Sequence, residues 1–115
     1  MREDKLSIQS MDFAVDIINL VKELKSKRES IISNQIGRSG TSIGANIREA
    51  HYAHGTADFI AKLQIALKEC SESEYWLELL IESGYYDNND ILEKCIEVKK
   101  LLITSINTAK SRLNK

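Results

Sequence analysis

Proline is absent from this 115-residue chain, and no other feature of its composition points so directly at the fold. Because proline interrupts hydrogen bonding in helix interiors, a chain without it can form long uninterrupted helices. Aromatic residues are also scarce, at 6%. No apolar run approaches the ~18 residues that a membrane-spanning helix needs, so we expect no membrane partner.

Cysteine is nearly absent as well, and the two that occur are Cys70 and Cys95. Both fall within helical apolar patterns, and no secretory signal is recognisable. We therefore expect a cytoplasmic protein and interpret the two cysteines as buried thiols, with a disulfide between them as the alternative. The formal net charge is only −1, which excludes bulk electrostatic attraction to nucleic acid or membranes. Local charged patches remain compatible with it.

What the sequence does contain is helical apolar periodicity in four segments. The approximate ranges predicted for the helices are 7–27, 30–53, 57–83 and 90–113. In the first, two neighbouring stripes are expected to form one wide core face: Met11, Ala14, Ile18, Val21 and Phe13, Ile17, Leu20, Leu24. Thr56 is a candidate N-cap of the third helix and Gly84 its stop. Short turns force antiparallel neighbours, so we predict an all-α, up-down-up-down four-helix bundle forming a single domain over residues 1–115.

The second helical segment is unusual because it carries three glycines and several hydroxyl residues. Each glycine costs about 1 kcal/mol of helix propensity relative to alanine, so some other interaction must offset that cost. One face of the segment is apolar and another is a heptad stripe of polar residues: Gln35, Ser39, Ser42, Asn46 and Glu49. Gly37, Gly40 and Gly44 mark a third, smooth direction. The alternative is a glycine-rich loop between two short helices.

The polar stripe and the smooth face have two interpretations. In the first, Asn46, Arg48 and Glu49 belong to a hydrogen-bond network within the bundle. In the second, the stripe and the glycine face meet another subunit, because small residues let helix backbones approach closely. The second interpretation makes this segment an assembly surface.

Charge is unevenly distributed along the chain. Between residues 69 and 93 there are eight acids and no Lys or Arg. From residue 94 onward six bases face one acid, and a second basic cluster ends the first helix. We expect one acidic and one basic pole, which serve either solubility and the helix dipoles or contact with a phosphate backbone. The candidate nucleic-acid contacts are Lys22, Lys25, Lys27, Arg28, Lys99 and Lys100.

Catalytic and metal sites find little support. A di-iron bundle needs Glu-x-x-His pairs, which are absent. His51-x-x-His54 is a possible but incomplete pair of metal ligands, and Glu69-x-x-Glu72 is typical of a paired or solvated face. The glycine-rich segment is not a phosphate-binding loop, because it has no Gly-Lys-Ser/Thr and follows no strand. We expect no enzymatic activity, no cofactor and no metal.

A long motif nevertheless stands out. Residues 35–50 read Gln-x-x-Arg-Ser-Gly-Thr-Ser-Ile-Gly-Ala-Asn-Ile-x-Glu-Ala, and they are followed by Asp58-Phe59-Ile60, Ala66-Leu67-Lys68-Glu69 and Glu72-x-x-Tyr75-Trp76-Leu77. This pattern resembles the bacterial four-helix bundle protein family, whose founding members are encoded in intervening sequences of large-subunit ribosomal RNA genes. The resemblance extends over nearly the whole chain.

The resemblance implies a cytoplasmic homopentamer with a central pore and implies no catalytic residue. One branch, the accessory protein of diversity-generating retroelements, binds a reverse transcriptase and nucleic acid through a basic surface. This chain departs from that branch because it is slightly acidic. The residues at which the family's shared positions fall are Gln35, Arg38, Ser39, Gly40, Ser42, Gly44, Asn46, Arg48, Glu49, Glu69, Glu72 and Trp76.

Two hypotheses follow from the sequence. In the first, the chain is a non-enzymatic homo-oligomer, most simply a pentamer, that serves as a scaffold for RNA, DNA or a nucleoprotein. In the second, it is a protein-interaction module that docks through the acidic segment 69–93 and has no role with nucleic acid.

Overall fold

Four helices, joined by short turns, account for most of residues 4–113, which are the residues that the computed structural model describes. Their bounds are α1 Lys5–Ser26, α2 Ile31–Ala50, α3 Thr56–Glu82 and α4 Asp90–Leu113. Consecutive helices pack against each other, and α4 closes the bundle against α1. The result is a rod of 51 × 23 × 21 Å. The predicted all-α, up-down-up-down bundle is confirmed, and its predicted helix ends agree with the observed ones to within three residues.

The glycine-containing segment is one continuous helix, so the alternative of a loop between two short helices is wrong. α2 ends at Ala50 rather than at residue 53. The N-cap position of α3 is held by Gly55, and Thr56 is the first helical residue rather than the predicted cap. Gly84, which follows the C-cap residue Ser83, has φ +83°, and this confirms it as the residue that ends α3 in a left-handed conformation.

The turn between α1 and α2 is built without glycine. Arg28 takes the left-handed conformation there, with φ 63°. The backbone N–H of Glu29 then donates to the carbonyl of Leu24 at 2.9 Å, as in a Schellman motif. The Glu29 carboxylate accepts hydrogen bonds from the backbone N–H groups of residues 31, 32 and 33 at 3.2, 3.1 and 2.8 Å. One glutamate therefore caps the first turn of α2, a role that the sequence pattern did not reveal.

The core is formed by one side of each helix. Its largest fully buried side chains include Phe13, Ile17, Leu24, Ile36, Ile43, Leu63, Leu77, Leu80 and Leu102. In α1 only one of the two predicted stripes is buried. Met11 and Ile18, predicted to face the core, are exposed on the outside of the rod. Within residues 4–113, α1 packs against α2 and α4 alone, and its apolar surface is wider than the part that these two helices cover.

Candidate assembly interface

The outer side of α1 carries a row of large apolar side chains that the rest of residues 4–113 covers only in part. Ile8, Met11, Val15 and Ile18 keep between 46% and 53% of their surface exposed. Their spacing of three, four and three residues is that of the a and d positions of a heptad, which lie on one line along a helix. Because isolated exposed apolar residues are ordinary but a continuous row is not, this row is a candidate protein contact surface. We call it the α1 stripe.

A groove between α1 and α2 runs beside the α1 stripe. It encloses about 430 Å³ and is lined by Met11 and Ala14 of α1 and by Thr41, Gly44 and Ala45 of α2. The groove exists because the α2 side contributes small residues at this position. A side chain presented by another protein surface can therefore enter next to the stripe.

The glycines of α2 face α1 within the same chain. A Cβ atom on Gly40 would lie 2.8 Å from a side-chain carbon of Ile17, a distance that real Cβ atoms do not tolerate. The corresponding nearest distances at Gly37 and Gly44 are 3.4 and 3.5 Å, again to α1. Gly40 is buried and packs against α1, so the prediction that the smooth face meets another subunit is wrong at this position. Close helix approach does offset the glycine cost, but inside the bundle.

Part of the predicted polar stripe also has partners within the chain. Ser39 is buried, and its hydroxyl lies 2.9 Å from that of Ser73 on α3. The Ser42 hydroxyl donates to the carbonyl of Arg38 at 2.7 Å, and the Asn46 side chain donates to the carbonyl of Ser42 at 2.9 Å. Gln35 at the start of the stripe is exposed. Of these contacts only that of Ser39 reaches another helix, because Ser42 and Asn46 bond carbonyls of α2 itself, and the network of Asn46, Arg48 and Glu49 stays a prediction.

Residues from separate parts of the family motif meet between α2 and α3. Arg38 forms ion pairs with Glu69, at 3.1 Å, and with Glu72. The same Glu72 carboxylate accepts a hydrogen bond from the indole N–H of Trp76 at 3.3 Å. The motif thus brings one guanidinium, two carboxylates and an indole together on the surface of the bundle, where they link two helices.

The two remaining charged residues of the motif lie near the end of α2. Glu49 faces Lys62 of α3 at 3.7 Å. Arg48 is exposed and lines the α1–α2 groove together with Glu49. An assembly role for the motif, Arg48 included, stays a prediction.

The candidate nucleic-acid contacts do not form one surface. Lys22, Lys25, Lys27 and Arg28 are exposed at the end of α1. Lys27 donates to the carbonyl of Tyr85, which places this basic cluster beside the α3–α4 turn and its acids. The expected separation into one basic and one acidic pole is therefore wrong at this end of the rod, where both signs occur together.

The other two candidate contacts lie near the middle of α4. Lys99 bonds Glu74 of α3 at 2.7 Å, and this hydrogen bond raises the pKa of Lys99. Lys100 is exposed and lies 3.9 Å from Glu97. Nine residues of helix separate Lys99 from the start of α4, or roughly 14 Å along its axis.

An acidic groove lies between α1 and α4. The sequence did not predict it, because the residues of α1 and of α4 that line it lie some eighty positions apart. It encloses about 900 Å³, and its charged lining consists of Asp12, Asp16, Asp90, Glu93, Glu97 and Lys94. Lys94 bonds both α1 aspartates, at 2.9 and 2.6 Å, and these hydrogen bonds raise its pKa. Tyr86 lines the same groove, where burial and then the nearby acids raise the pKa of its phenol.

His51 and His54 both lie outside α2, so they do not have the one-turn helical spacing on which a metal site would depend. His51 follows the last residue of α2, and its Nε2 atom lies 3.0 Å from the Ser7 hydroxyl and 3.4 Å from Asp4. His54 is exposed in the turn before α3. Across residues 4–113 no group of three or more His, Cys, Asp or Glu side chains is arranged to hold a metal ion. Cys70 and Cys95 are buried free thiols, as predicted.

Within the described residues, no helix combines the length and apolarity needed to cross a membrane.

Comparisons with known proteins place the chain in a family. No functionally curated protein matches the sequence. A crystal structure of a protein of unknown function from the S23 ribosomal protein family of Bacteroides thetaiotaomicron is 52% identical, with a TM-score of 0.86, and the match covers 88% of this chain and 97% of that one. Residues 3–104 match the family described as 23S rRNA-intervening sequence protein. The chain therefore belongs to the 23S rRNA-intervening sequence protein family.

Proposed function

We propose that the protein is a non-enzymatic subunit of a homo-oligomer, most simply a pentamer, that acts as a scaffold for a nucleic-acid or nucleoprotein partner. The observation that carries the assembly is the α1 stripe, a half-exposed apolar row on a helix whose opposite side is fully used by the core. A second copy of the chain is a partner of matching chemistry that is always present at the protein's own concentration.

The free energy gained by burying the α1 stripe alone is too small for a stable assembly. Fully burying a large aliphatic side chain contributes about 1.5–3 kcal/mol, so burying the remaining half of four such chains contributes roughly 3–6 kcal/mol. Association itself costs an estimated 4–15 kcal/mol in lost freedom of motion. The stripe alone therefore supports only a weak contact, and the neighbouring α1–α2 groove must add buried area. Closure into a ring, in which each subunit makes two contacts, adds further stability.

The number of subunits depends on what the stripe meets. If it packs on the same stripe of a second copy, the contact is isologous and closes as a dimer. A ring of five requires a heterologous contact with a different surface of the neighbour. Exposed large apolar side chains outside α1 supply candidates for that second surface, among them Ile31 on α2 and Ile65 and Tyr75 on α3.

A pair of matched variants tests the interface. Val15→Lys places a charge in the middle of the stripe, on a side chain that is already half exposed, and we expect it to produce a folded monomer of 13.0 kDa. Ile103→Lys introduces the same charge at a position of similar exposure on α4 and should leave the assembly intact. Equal masses for wild type and both variants in sedimentation velocity would contradict the proposed surface.

The nucleic-acid part of the proposal rests on family membership and on the exposed bases at the end of α1. If all four contact phosphates, the logarithm of the affinity for duplex DNA falls with the logarithm of salt with a slope of about −3 to −4. We expect RNA or DNA binding at about 50 mM salt that is lost on Lys22→Glu together with Lys25→Glu. The pair Lys99→Glu and Lys100→Glu serves as a comparison, because Lys99 is engaged with Glu74.

A second candidate function is a docking module for a basic protein partner, with no role in nucleic-acid binding. It is favoured by the α1–α4 groove, which adds Asp12 and Asp16 of α1 to the acidic segment 69–93. Among the described residues that line the groove, Lys94 alone carries a positive charge. Absence of RNA and DNA binding at about 50 mM salt, where phosphate contacts are strongest, would favour this function over the first.

A further inference from the structure

Two thiols face each other in the interior of the bundle, away from the α1 stripe and both grooves. Cys70 of α3 and Cys95 of α4 are both fully buried, and their sulfur atoms lie 3.8 Å apart. Each sulfur also lies close to the other residue's carbonyl oxygen, at 3.4 and 3.5 Å. The two backbones therefore approach each other at these positions, so the side chains are opposite one another rather than staggered along the helices.

The geometry lies within easy reach of a disulfide. A sulfur–sulfur bond is about 2.05 Å long, so each sulfur has to move by roughly 0.9 Å. Rotation of roughly 30° about each Cα–Cβ bond moves a sulfur atom by about that distance. No other cysteine occurs in the chain, so no competing intramolecular pairing exists.

We propose that Cys70 and Cys95 form a site of covalent modification, at which thiol–disulfide exchange with a small disulfide such as oxidised glutathione joins α3 to α4. In the first step one cysteine thiolate attacks the glutathione disulfide, forms a mixed disulfide and releases one glutathione thiolate. In the second step the facing cysteine, after losing its proton to solvent, attacks the protein sulfur of the mixed disulfide and releases the second glutathione. The two cysteines are oxidised by two electrons, and one glutathione disulfide is reduced to two thiols.

Burial determines when this reaction takes place. Hydrogen bonding to Cys70 and burial raise the pKa of the Cys95 thiol, so the closed bundle holds its sulfur in the unreactive protonated form. Glutathione also has no path to a fully buried sulfur. Both steps therefore require local opening of the α3–α4 pair, the first to admit glutathione and the second to let the facing thiol lose its proton, and the helices reclose once the second glutathione has left.

The expected consequence is a covalent link between the two halves of an antiparallel helix pair. It closes a loop of 26 residues, from 70 to 95, which restricts the unfolded chain more than the folded one. The oxidised protein should therefore unfold at a higher temperature. Since neither cysteine reaches the surface, the link leaves the α1 stripe unchanged, and the modification is independent of whether the chain assembles.

The test is incubation of the full chain with oxidised glutathione about 10 °C below its Tm, where local opening is frequent, followed by cooling and removal of the oxidant. We expect three changes. Neither cysteine reacts any longer with a thiol reagent added in denaturant, the mass of the protein falls by two hydrogen atoms, and its Tm rises by at least about 5 °C. Reduction should reverse all three changes. Trypsin cleaves after Lys68, Lys94 and Lys99, so the bond is identified as a link between peptides 69–94 and 95–99.

A single-cysteine variant provides the control. Cys95→Ala leaves Cys70 without its resolving partner, so the same incubation should stop at a stable glutathione adduct. Two results would overturn the proposal. One is wild-type protein that keeps both thiols free, and the other is wild-type protein that accumulates glutathione adducts like the variant. Because the thiols are counted after denaturation, neither of these two results depends on the stability of the variant.

Discussion

Gly40 of α2 lies directly against Ile17 of α1, so closely that a Cβ atom on the glycine would stand 2.8 Å from Cγ1 and 3.0 Å from Cγ2 of the isoleucine. Both residues are fully buried. Because isoleucine is branched at Cβ and held in a packed core, it cannot turn aside. This contact explains why a helix that loses about 1 kcal/mol per glycine still forms.

The contact predicts opposite effects for two glycines one turn apart. Gly40→Ala should destabilise the bundle by about 1–2 kcal/mol, because overpacking outweighs the gain in helix propensity. Gly44→Ala has its nearest neighbour at 3.5 Å, an ordinary contact, and should stabilise the protein by up to about 1 kcal/mol. Urea unfolding of the two variants measures both values. Equal effects of the same sign would show that propensity, rather than the close approach to α1, governs these positions.

Glu29 and its neighbour Ser30 provide a test of helix capping. The Glu29 carboxylate accepts three backbone hydrogen bonds at the start of α2, whereas the Ser30 side chain makes no capping bond. Glu29→Ala should lower the free energy of unfolding by about 1–2 kcal/mol, because these amides are left without their charged acceptor. Ser30→Ala should change it by less than about 0.5 kcal/mol. A larger loss at Ser30 than at Glu29 would refute this assignment of the cap.

Lys94 predicts a pH dependence of stability. The bonds to Asp16 and Asp12 raise its pKa in the folded chain. Its stabilising contribution is therefore complete below the pKa of an unfolded lysine, about 10.4, and is lost as pH rises through the folded-state value. Lys94→Met should cost about 1 kcal/mol near pH 7, a modest value because the side chain is partly exposed. The difference from wild type should stay constant to about pH 9 and shrink above pH 10.4.

Lys100→Met is the matched control for Lys94, because Lys100 lies on the same helix and has only a weak contact with Glu97 at 3.9 Å. Its stability should follow that of wild type at every pH. A cost of Lys94→Met that persists unchanged into alkaline solution would mean that packing of the lysine stem, rather than its charge, joins α4 to α1.

Much of the fold follows from local patterns in the sequence. Apolar periodicity locates all four helices, and Gly84 marks the end of α3 because only a residue tolerant of positive φ suits that position. The turn after α1 is less accessible to such reasoning, because Arg28 adopts the same conformation without being glycine. There the turn depends on the hydrogen bonds between the Glu29 carboxylate and the start of α2 and on the direction in which α2 must run. Neither produces a characteristic residue pattern in the local sequence.

The candidate interface could be anticipated only in part. Periodicity predicts two apolar stripes on α1, but which of them faces the core depends on where α2 and α4 lie, so the predicted burial of Met11 and Ile18 is wrong. The motif around Arg38 was recognisable from the sequence, whereas its ion pairs join residues more than thirty positions apart. Long-range contacts of this kind follow from the packing of helices and not from their individual sequences.

The most direct test of the proposed assembly is the solution mass of the unmodified protein, measured by light scattering at micromolar concentration. We expect a multiple of the 13.0 kDa chain mass, with a value of about 65 kDa identifying a ring of five subunits. A monodisperse protein of 13.0 kDa at that concentration would contradict the assembly, and the α1 stripe would then require a different partner.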